Sequence, residues 1–144
     1  TAKDKPMFQK LIRERRCLVP ADCFYEWKET PAGKIPHAVR LASEDPFFLA
    51  GLWDVWHARK ADALHTFTIL TTEPNALLKT LHNRMPLIIR PADAEFWLHP
   101  DVQEIGEIEP LLEPYPAEEM IAYSISTRIN NVRNDSPELI EPAR

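Results

Sequence analysis

Short runs of β-branched and aromatic residues, separated by turn residues, constrain the fold of this chain more than any other feature. In residues 66–71 threonine alternates with apolar residues, which predicts a half-buried strand. Comparable short runs predict further strands, some of them fully buried. These are residues 17–20, 23–27, 37–41, 47–53, 87–89 and 121–125.

Few segments have helical periodicity. Residues 6–16 are predicted as a helix, because Pro6 suits a first helical position and Phe8, Leu11 and Ile12 share one stripe. A second helix is predicted from Thr72, as the N-cap, through Leu81, and a short one over residues 91–98. Many strands with few helices, in 144 residues, predict one strand-rich α+β domain and not alternating βαβ units.

Composition excludes several functional classes. With three glycines, neither a GxGxxG nor a GxxxxGK[ST] phosphate-binding loop occurs. The net charge of −5 argues against a generally basic nucleic-acid binder, although residues 1–40 carry nine Lys or Arg against five Asp or Glu. Residues 93–119 contain nine acidic residues and no Lys or Arg, which predicts a solvated acidic surface. A polyanion would therefore contact one local face.

The sequence indicates a cytoplasmic protein without a metal or cofactor. No apolar run is long enough to span a membrane, and the two cysteines cannot make a disulfide framework. Cys17 and Cys23 lack zinc-ligand spacing, and the five histidines form no HExxH motif. Either cysteine could act as a nucleophile with His82, but cysteines in apolar strands are more often inert.

Four other side chains are candidates for chemistry, each with a structural alternative. Glu26 lies between aromatic residues, where a half-buried carboxylate suits acid–base catalysis; it could instead form a structural ion pair. His82 precedes a predicted strand and could transfer protons or interact with a helix dipole. Arg84 could clamp a phosphate or pair with an acid. Trp27 could stack on a base or belong to the core.

Taken together, the segments resemble one known family. Residues 16–27, RCLVPADCFYEW, are similar to the RCLVPADGFYEW signature of the SOS response-associated peptidase (SRAP) family. One further family block precedes this signature, at residues 5–8, and four follow it in order, at residues 50–53, 71–75, 82–86 and 134–140. The resemblance therefore extends over about residues 2–142. It implies a single α+β domain over residues 1–144, with a bifurcated, barrel-like sheet flanked by short helices.

The resemblance also implies a function in the DNA-damage and SOS response. Family members shield abasic sites in single-stranded DNA, through an N-terminal cysteine whose amine and thiol close a thiazolidine on the sugar aldehyde. They are also thought to remove their own initiator methionine, and they need no cofactor. Glu26 and His82 match the catalytic pair, Glu26 passing protons at the amine and His82 assisting sugar ring opening and cross-link reversal. Trp27, Thr71 and Arg84 match DNA contacts.

The chain departs from the family pattern at two places. It starts with Thr1 and not with the nucleophilic cysteine, so we expect an N-terminally truncated or degenerate member that cannot cross-link by itself. A missing segment, or a second copy in a homo-oligomer, would complete the sheet. Cys23 stands where the family usually has glycine. The expected partner is single-stranded DNA with abasic sites, near the nucleoid and away from membranes; a non-covalent single-stranded DNA-binding module is the alternative.

Overall fold

The computed structural model describes residues 6–56 and 63–143 as a succession of strands with short helices. The α-helices are α1 (Pro6–Glu14), α2 (Ala94–Leu98) and α3 (Ile105–Ile108). The strands are β1 (Arg16–Ala21), β2 (Phe24–Thr30), β3 (Gly33–Leu41), β4 (Phe47–Trp56), β5 (Leu64–Ile69), β6 (Thr71–Thr72), β7 (Met85–Pro86), β8 (Ile88–Ile89) and β9 (Met120–Ser124). Within the described ranges, no helix is long and apolar enough to cross a membrane.

The chain divides into two compact units. The first comprises the chain up to Pro20, Phe47–Thr72 and Pro86–Pro114, and the second comprises Ala21–Pro46, Glu73–Met85 and the chain from Tyr115 onward.

The first unit is built on β4, which pairs with β1, β5 and β8. The apolar stripe of α1 supplies Leu11 and Ile12 to a core that contains the fully buried Trp97 and Ile108. Burial of such side chains stabilises each by about 1.5–3 kcal/mol relative to exposure. The indole N–H of Trp97 donates to the Cys17 carbonyl at 3.0 Å, which joins α2 to β1.

The second unit is an antiparallel three-stranded sheet in the order β2-β3-β9. A tight turn joins β2 to β3, and Gly33 closes it with a φ of 118°, a conformation that favours glycine. The register aligns Glu26 with His37, and His37 with Ser124. Because paired residues share one face of a sheet, these three side chains lie in one row.

The predicted class, strand-rich α+β with short helices, is confirmed; in the described ranges the sheets do not close into a barrel. Helix α1 and each predicted strand are present, within a few residues of the expected bounds. The run at 66–71 differs in detail, because β5 ends at Ile69 and its residues Leu64 to Thr68 are exposed. Thr71 begins β6 instead. Alternation of polar and apolar residues predicted the strand but not its burial.

The predicted helix from Thr72 to Leu81 is wrong, since only Leu78–Thr80 forms a single 3₁₀ turn. Thr72 belongs to β6, and its hydroxyl donates to the Leu112 carbonyl at 3.0 Å instead of capping a helix. Asn75 accepts a bond from the Leu78 N–H at 2.9 Å. Such local side-chain bonds compete with regular helix, and they limit this segment to one turn.

Only one side of the acidic segment 93–119 is exposed to solvent. Most of its carboxylates are exposed, for example Glu95, Glu104 and Glu107. Trp97 and Ile108 of the same segment are completely buried in the first unit. The charge count therefore predicted the solvated face of this segment and missed its contribution to the core.

Candidate functional site

Glu26 lies in the middle of β2, and its side chain is one-fifth exposed. Successive side chains of a strand point to opposite faces, so Glu26 and Lys28 share a face while Trp27 points away from them. The backbone N–H of Trp27 donates to Glu26 Oε1 at 3.1 Å, which leaves Oε2 to face another partner. The carboxylate is thus partly shielded from water and held by its own strand.

His82 is brought to Glu26 by the 3₁₀ turn that replaces the predicted helix. The N–H of His82 donates to the Leu78 carbonyl at 2.8 Å, which fixes the residue at the end of the turn. The His82 Nδ1 atom then lies 3.9 Å from Glu26 Oε2. The two residues predicted as an acid–base pair are therefore together, in one unit of the chain.

The backbone of Arg84 offers His82 Nδ1 both a donor and an acceptor. The Arg84 N–H and the Arg84 carbonyl oxygen each lie 3.2 Å from Nδ1. An unprotonated Nδ1 accepts from the N–H, whereas a protonated Nδ1 can donate to the carbonyl. The backbone of Arg84 therefore offers Nδ1 a hydrogen-bond partner in either tautomer of the ring.

An open groove of about 790 Å³ begins at His82. Arg84 is exposed on its wall, and so are Lys28 and Lys79, which sequence reasoning did not single out. The signal for Lys28 was available, because it stands two residues after Glu26 in a predicted strand and so shares its face. No comparable signal existed for Lys79 while its segment was predicted as a regular helix.

The predicted DNA-contact residues do not all share one face. Trp27 lies on the other face of β2 from Glu26, and its indole N–H donates to Asn130 Oδ1 at 2.8 Å. Arg84 lines the groove beside His82. Thr71 is exposed in β6 and belongs to the first unit, whereas Glu26, Trp27, His82 and Arg84 belong to the second.

The cysteines lack the features of nucleophiles. Burial raises the pKa of the Cys17 thiol, and burial is also the largest of the influences that raise the pKa of Cys23. Both thiols are therefore further from the reactive thiolate than an exposed cysteine. Among the described residues other than glycine, only Glu44 has a positive φ, so Cys23 replaces the usual glycine of the signature without backbone strain.

Comparison with known proteins identifies the family to which this chain belongs. The model of the SOS response associated peptidase (SRAP) family matches residues 1–132. This chain belongs to the SRAP family. It is 42% identical over 142 residues to the abasic site processing protein YoqW of Bacillus subtilis, and it covers 63% of that protein's length.

Other SRAP relatives are more distant, and at least 92% of this chain aligns with each of the two described next. The chain is 30% identical to the abasic site processing protein YedK of Escherichia coli, with 99% of the chain and 64% of the relative aligned. It is 33% identical to the abasic site processing protein HMCES of Gallus gallus, with 92% of the chain and 45% of the relative aligned. The crystal structure of a Bacteroides thetaiotaomicron protein matches all of this chain and 63% of its own, with a TM-score of 0.91 and 34% identity.

Proposed function

We propose that this protein processes abasic sites in single-stranded DNA. The observation that carries the proposal is the approach of His82 Nδ1 to Glu26 Oε2, 3.9 Å apart, where His82 lines an open groove. Support comes from membership of the SRAP family and from relatives named abasic site processing proteins. These relatives are longer than the 144 residues of this chain. The whole protein is proposed to act in the DNA-damage and SOS response near the nucleoid.

The proposed chemistry joins an N-terminal cysteine to the ring-opened sugar. The cysteine amine attacks C1′ of the aldehyde, water leaves to give an imine, and the thiol then adds to the same carbon. One water is released for each thiazolidine formed. Cys17 and Cys23 are internal and carry no free α-amine, so neither supplies both groups; the nucleophile in this proposal is the N-terminal cysteine that the family resemblance implies. Residues 1–144 are proposed to supply the acid–base half, within a single SRAP domain.

Glu26 and His82 divide the proton transfers in this scheme. Glu26 takes a proton from the attacking amine and returns one to the departing hydroxyl. His82 assists opening of the sugar ring and, in the reverse direction, release of the cross-link. The whole protein is also proposed to remove its own initiator methionine, as the family resemblance implies. Positioned acid–base groups contribute about 10²–10⁴-fold to such steps.

Supplying the cysteine as a free amino acid tests the acid–base assignment with this chain as it stands. Free L-cysteine is added to single-stranded DNA with one abasic site, and thiazolidine formation is followed by mass spectrometry with and without the protein. We expect the protein to accelerate the reaction, and we expect Glu26→Gln or His82→Ala to reduce the accelerated rate by about 10²-fold. Acceleration that persists in both variants would remove the proposal.

A matched control separates the pair from its surroundings. His37 occupies the same row of the sheet as Glu26, through the register of β2 with β3, and its Nδ1 lies 3.0 Å from the Ile35 carbonyl. His37→Gln should keep most of the acceleration, because this ring is not assigned a proton transfer. An equal loss in His37→Gln would show that the assay reports the condition of the sheet and not the chemistry of Glu26 and His82.

A further inference from the structure

Asn75 is held by two methionine sulfurs as well as by backbone groups. Its backbone N–H donates to Met85 Sδ, and its side-chain Nδ2 donates to Met120 Sδ, each at 3.3 Å. Nδ2 also donates to the Tyr115 carbonyl at 2.7 Å, while Oδ1 accepts from the Leu78 N–H at 2.9 Å. Both donor groups of this half-buried residue therefore have partners, and two of those partners are thioethers.

The two sulfurs are not equivalent. If Met120 loses its sulfur, Nδ2 of Asn75 keeps the Tyr115 carbonyl as an acceptor. For the backbone N–H of Asn75, by contrast, Met85 Sδ is the one acceptor among the residues that the structure describes. Met85 is only 1% exposed, so an apolar side chain of the same size in its place would keep water from the N–H. A buried donor without an acceptor is more costly than a donor group that keeps one of two acceptors.

The bond from Asn75 to Met85 closes the segment that carries His82. It joins residues ten positions apart, and His82 lies between them. On one side, Asn75 Oδ1 holds the Leu78 N–H, and the Leu78 carbonyl accepts from the His82 N–H at 2.8 Å. On the other side, Met85 follows His82 by three residues and is itself bound to Asn75. The imidazole is thus held between two connections that both end on Asn75.

We propose that Met85 is a positioning residue for His82, and that its thioether serves as a hydrogen-bond acceptor and not only as apolar packing. The proposal rests on the proposed function, and it adds to that site a residue that acts through Asn75 and the 3₁₀ turn. Sulfur is a weak acceptor, but a weak acceptor satisfies a buried donor better than none. The Met85 sulfur thereby keeps His82 Nδ1 near Glu26 Oε2, 3.9 Å away.

Two substitutions at Met85 separate the acceptor from the packing. Met85→Leu keeps an apolar side chain of similar volume and removes the acceptor. Met85→Gln keeps an acceptor of similar reach, the side-chain oxygen, but buries an amide NH2 group. A displacement of about 1 Å near a reacting group costs up to about 10²-fold in rate, so we expect Met85→Leu to lower kcat of the L-cysteine reaction about tenfold. Met85→Gln should keep most of the parent kcat.

Stability should rank the two variants in the opposite order. Urea denaturation should give Met85→Gln the lower midpoint, because its NH2 group enters an apolar site whereas leucine replaces methionine at little cost. The crossing of rate and stability identifies an acceptor. If Met85 only fills space, Met85→Leu will be the better variant in both measurements, and that result would overturn the proposal.

Met120→Leu is the matched control, because it makes the same change at the other sulfur bound to Asn75. Since Nδ2 keeps the Tyr115 carbonyl, we expect Met120→Leu to keep most of the parent kcat. KM for DNA should stay at the parent value in all three variants, because neither methionine lines the groove. An equal loss of kcat in the two leucine variants would overturn the proposal. This comparison decides it even if Met85→Gln does not fold.

Amide hydrogen exchange separates the failure of this proposal from the failure of the proposed function. If the parent accelerates the L-cysteine reaction and Met85→Leu does so equally, Met85 is not a positioning residue and the proposed function stands. If the parent gives no acceleration, the proposed function fails, and exchange at the His82 N–H decides the proposal on Met85. That N–H should exchange about tenfold faster in Met85→Leu than in Met120→Leu. Equal exchange rates would overturn the proposal.

Discussion

Asn75 fixes the turn that delivers His82, so its replacement connects stability with chemistry. Asn75 Oδ1 accepts from the Leu78 N–H at 2.9 Å, and its Nδ2 donates to the Tyr115 carbonyl at 2.7 Å. Asn75→Ala removes both bonds and leaves a backbone donor and a backbone acceptor to find other partners. At about 1 kcal/mol for each bond, and somewhat more where a buried group stays unpaired, we expect the free energy of unfolding to fall by about 2–3 kcal/mol.

Urea denaturation followed by tryptophan fluorescence measures this loss. With a slope of about 2 kcal/mol per molar urea, the midpoint should fall by about 1–1.5 M. Gln103→Ala is the control, because it removes one exposed bond, from Nε2 to the Pro100 carbonyl at 3.2 Å, and should change the midpoint by little. The rate of the L-cysteine reaction should also fall in folded Asn75→Ala, since the end of the turn then holds His82 less firmly. A midpoint within 0.2 M of the parent, a margin of about 0.4 kcal/mol, would refute this account of the turn.

Three other predictions concern packing and titration. Gly51→Ala should destabilise the protein by about 1–3 kcal/mol in thermal melts, because the added Cβ would lie 2.8 Å from Cys17 Sγ and 3.2 Å from the Thr68 carbonyl oxygen; Gly106→Ala, which meets no atom within 4 Å, is the control. Burial raises the pKa values of Cys23 and Tyr25, so the folded state holds these protons more tightly, and unfolding free energy should fall as pH rises above the ordinary cysteine range. Cys23→Ala should flatten that alkaline decline; a steeper decline would contradict the assignment. Iodoacetamide should alkylate the native chain at neutral pH more slowly than the urea-unfolded chain, as mass spectrometry would show.

The sequence predicted the strands well because their patterns are local. β2 and β9 form where β-branched and aromatic residues cluster in short runs, as the local sequence predicts. The pair of Glu26 and His82 came from the family resemblance, and spacing alone left the structural alternatives open. Their separation could not be predicted, because it depends on which turn follows Pro74 and how the turn is anchored.

The wrong helix depends on partners both near and distant in the chain. The segment after Thr72 has a helical sequence pattern. In the structure, however, the Thr72 hydroxyl donates to the Leu112 carbonyl, and Asn75 forms hydrogen bonds with both Leu78 and Tyr115. Trp27 was predicted to stack on a base or to belong to the core; in the structure it is half-buried, and its indole N–H donates to Asn130 Oδ1. Lys79 lines the groove from the 3₁₀ turn Leu78–Thr80. Local pattern does not contain the distant partners Leu112, Tyr115 and Asn130.

The two groups of Arg84 that face the imidazole of His82, the N–H and the carbonyl oxygen, belong to the main chain. A substitution at position 84 can therefore change the side chain in the groove without changing these two groups. Exchange of the guanidinium for another side chain alters what the groove attracts, yet leaves the N–H and carbonyl in place for the ring. Proline is the exception, because it has no N–H to donate. On the proposed function, a change of the Arg84 side chain would alter the contact with DNA and leave both main-chain partners of the His82 ring in place.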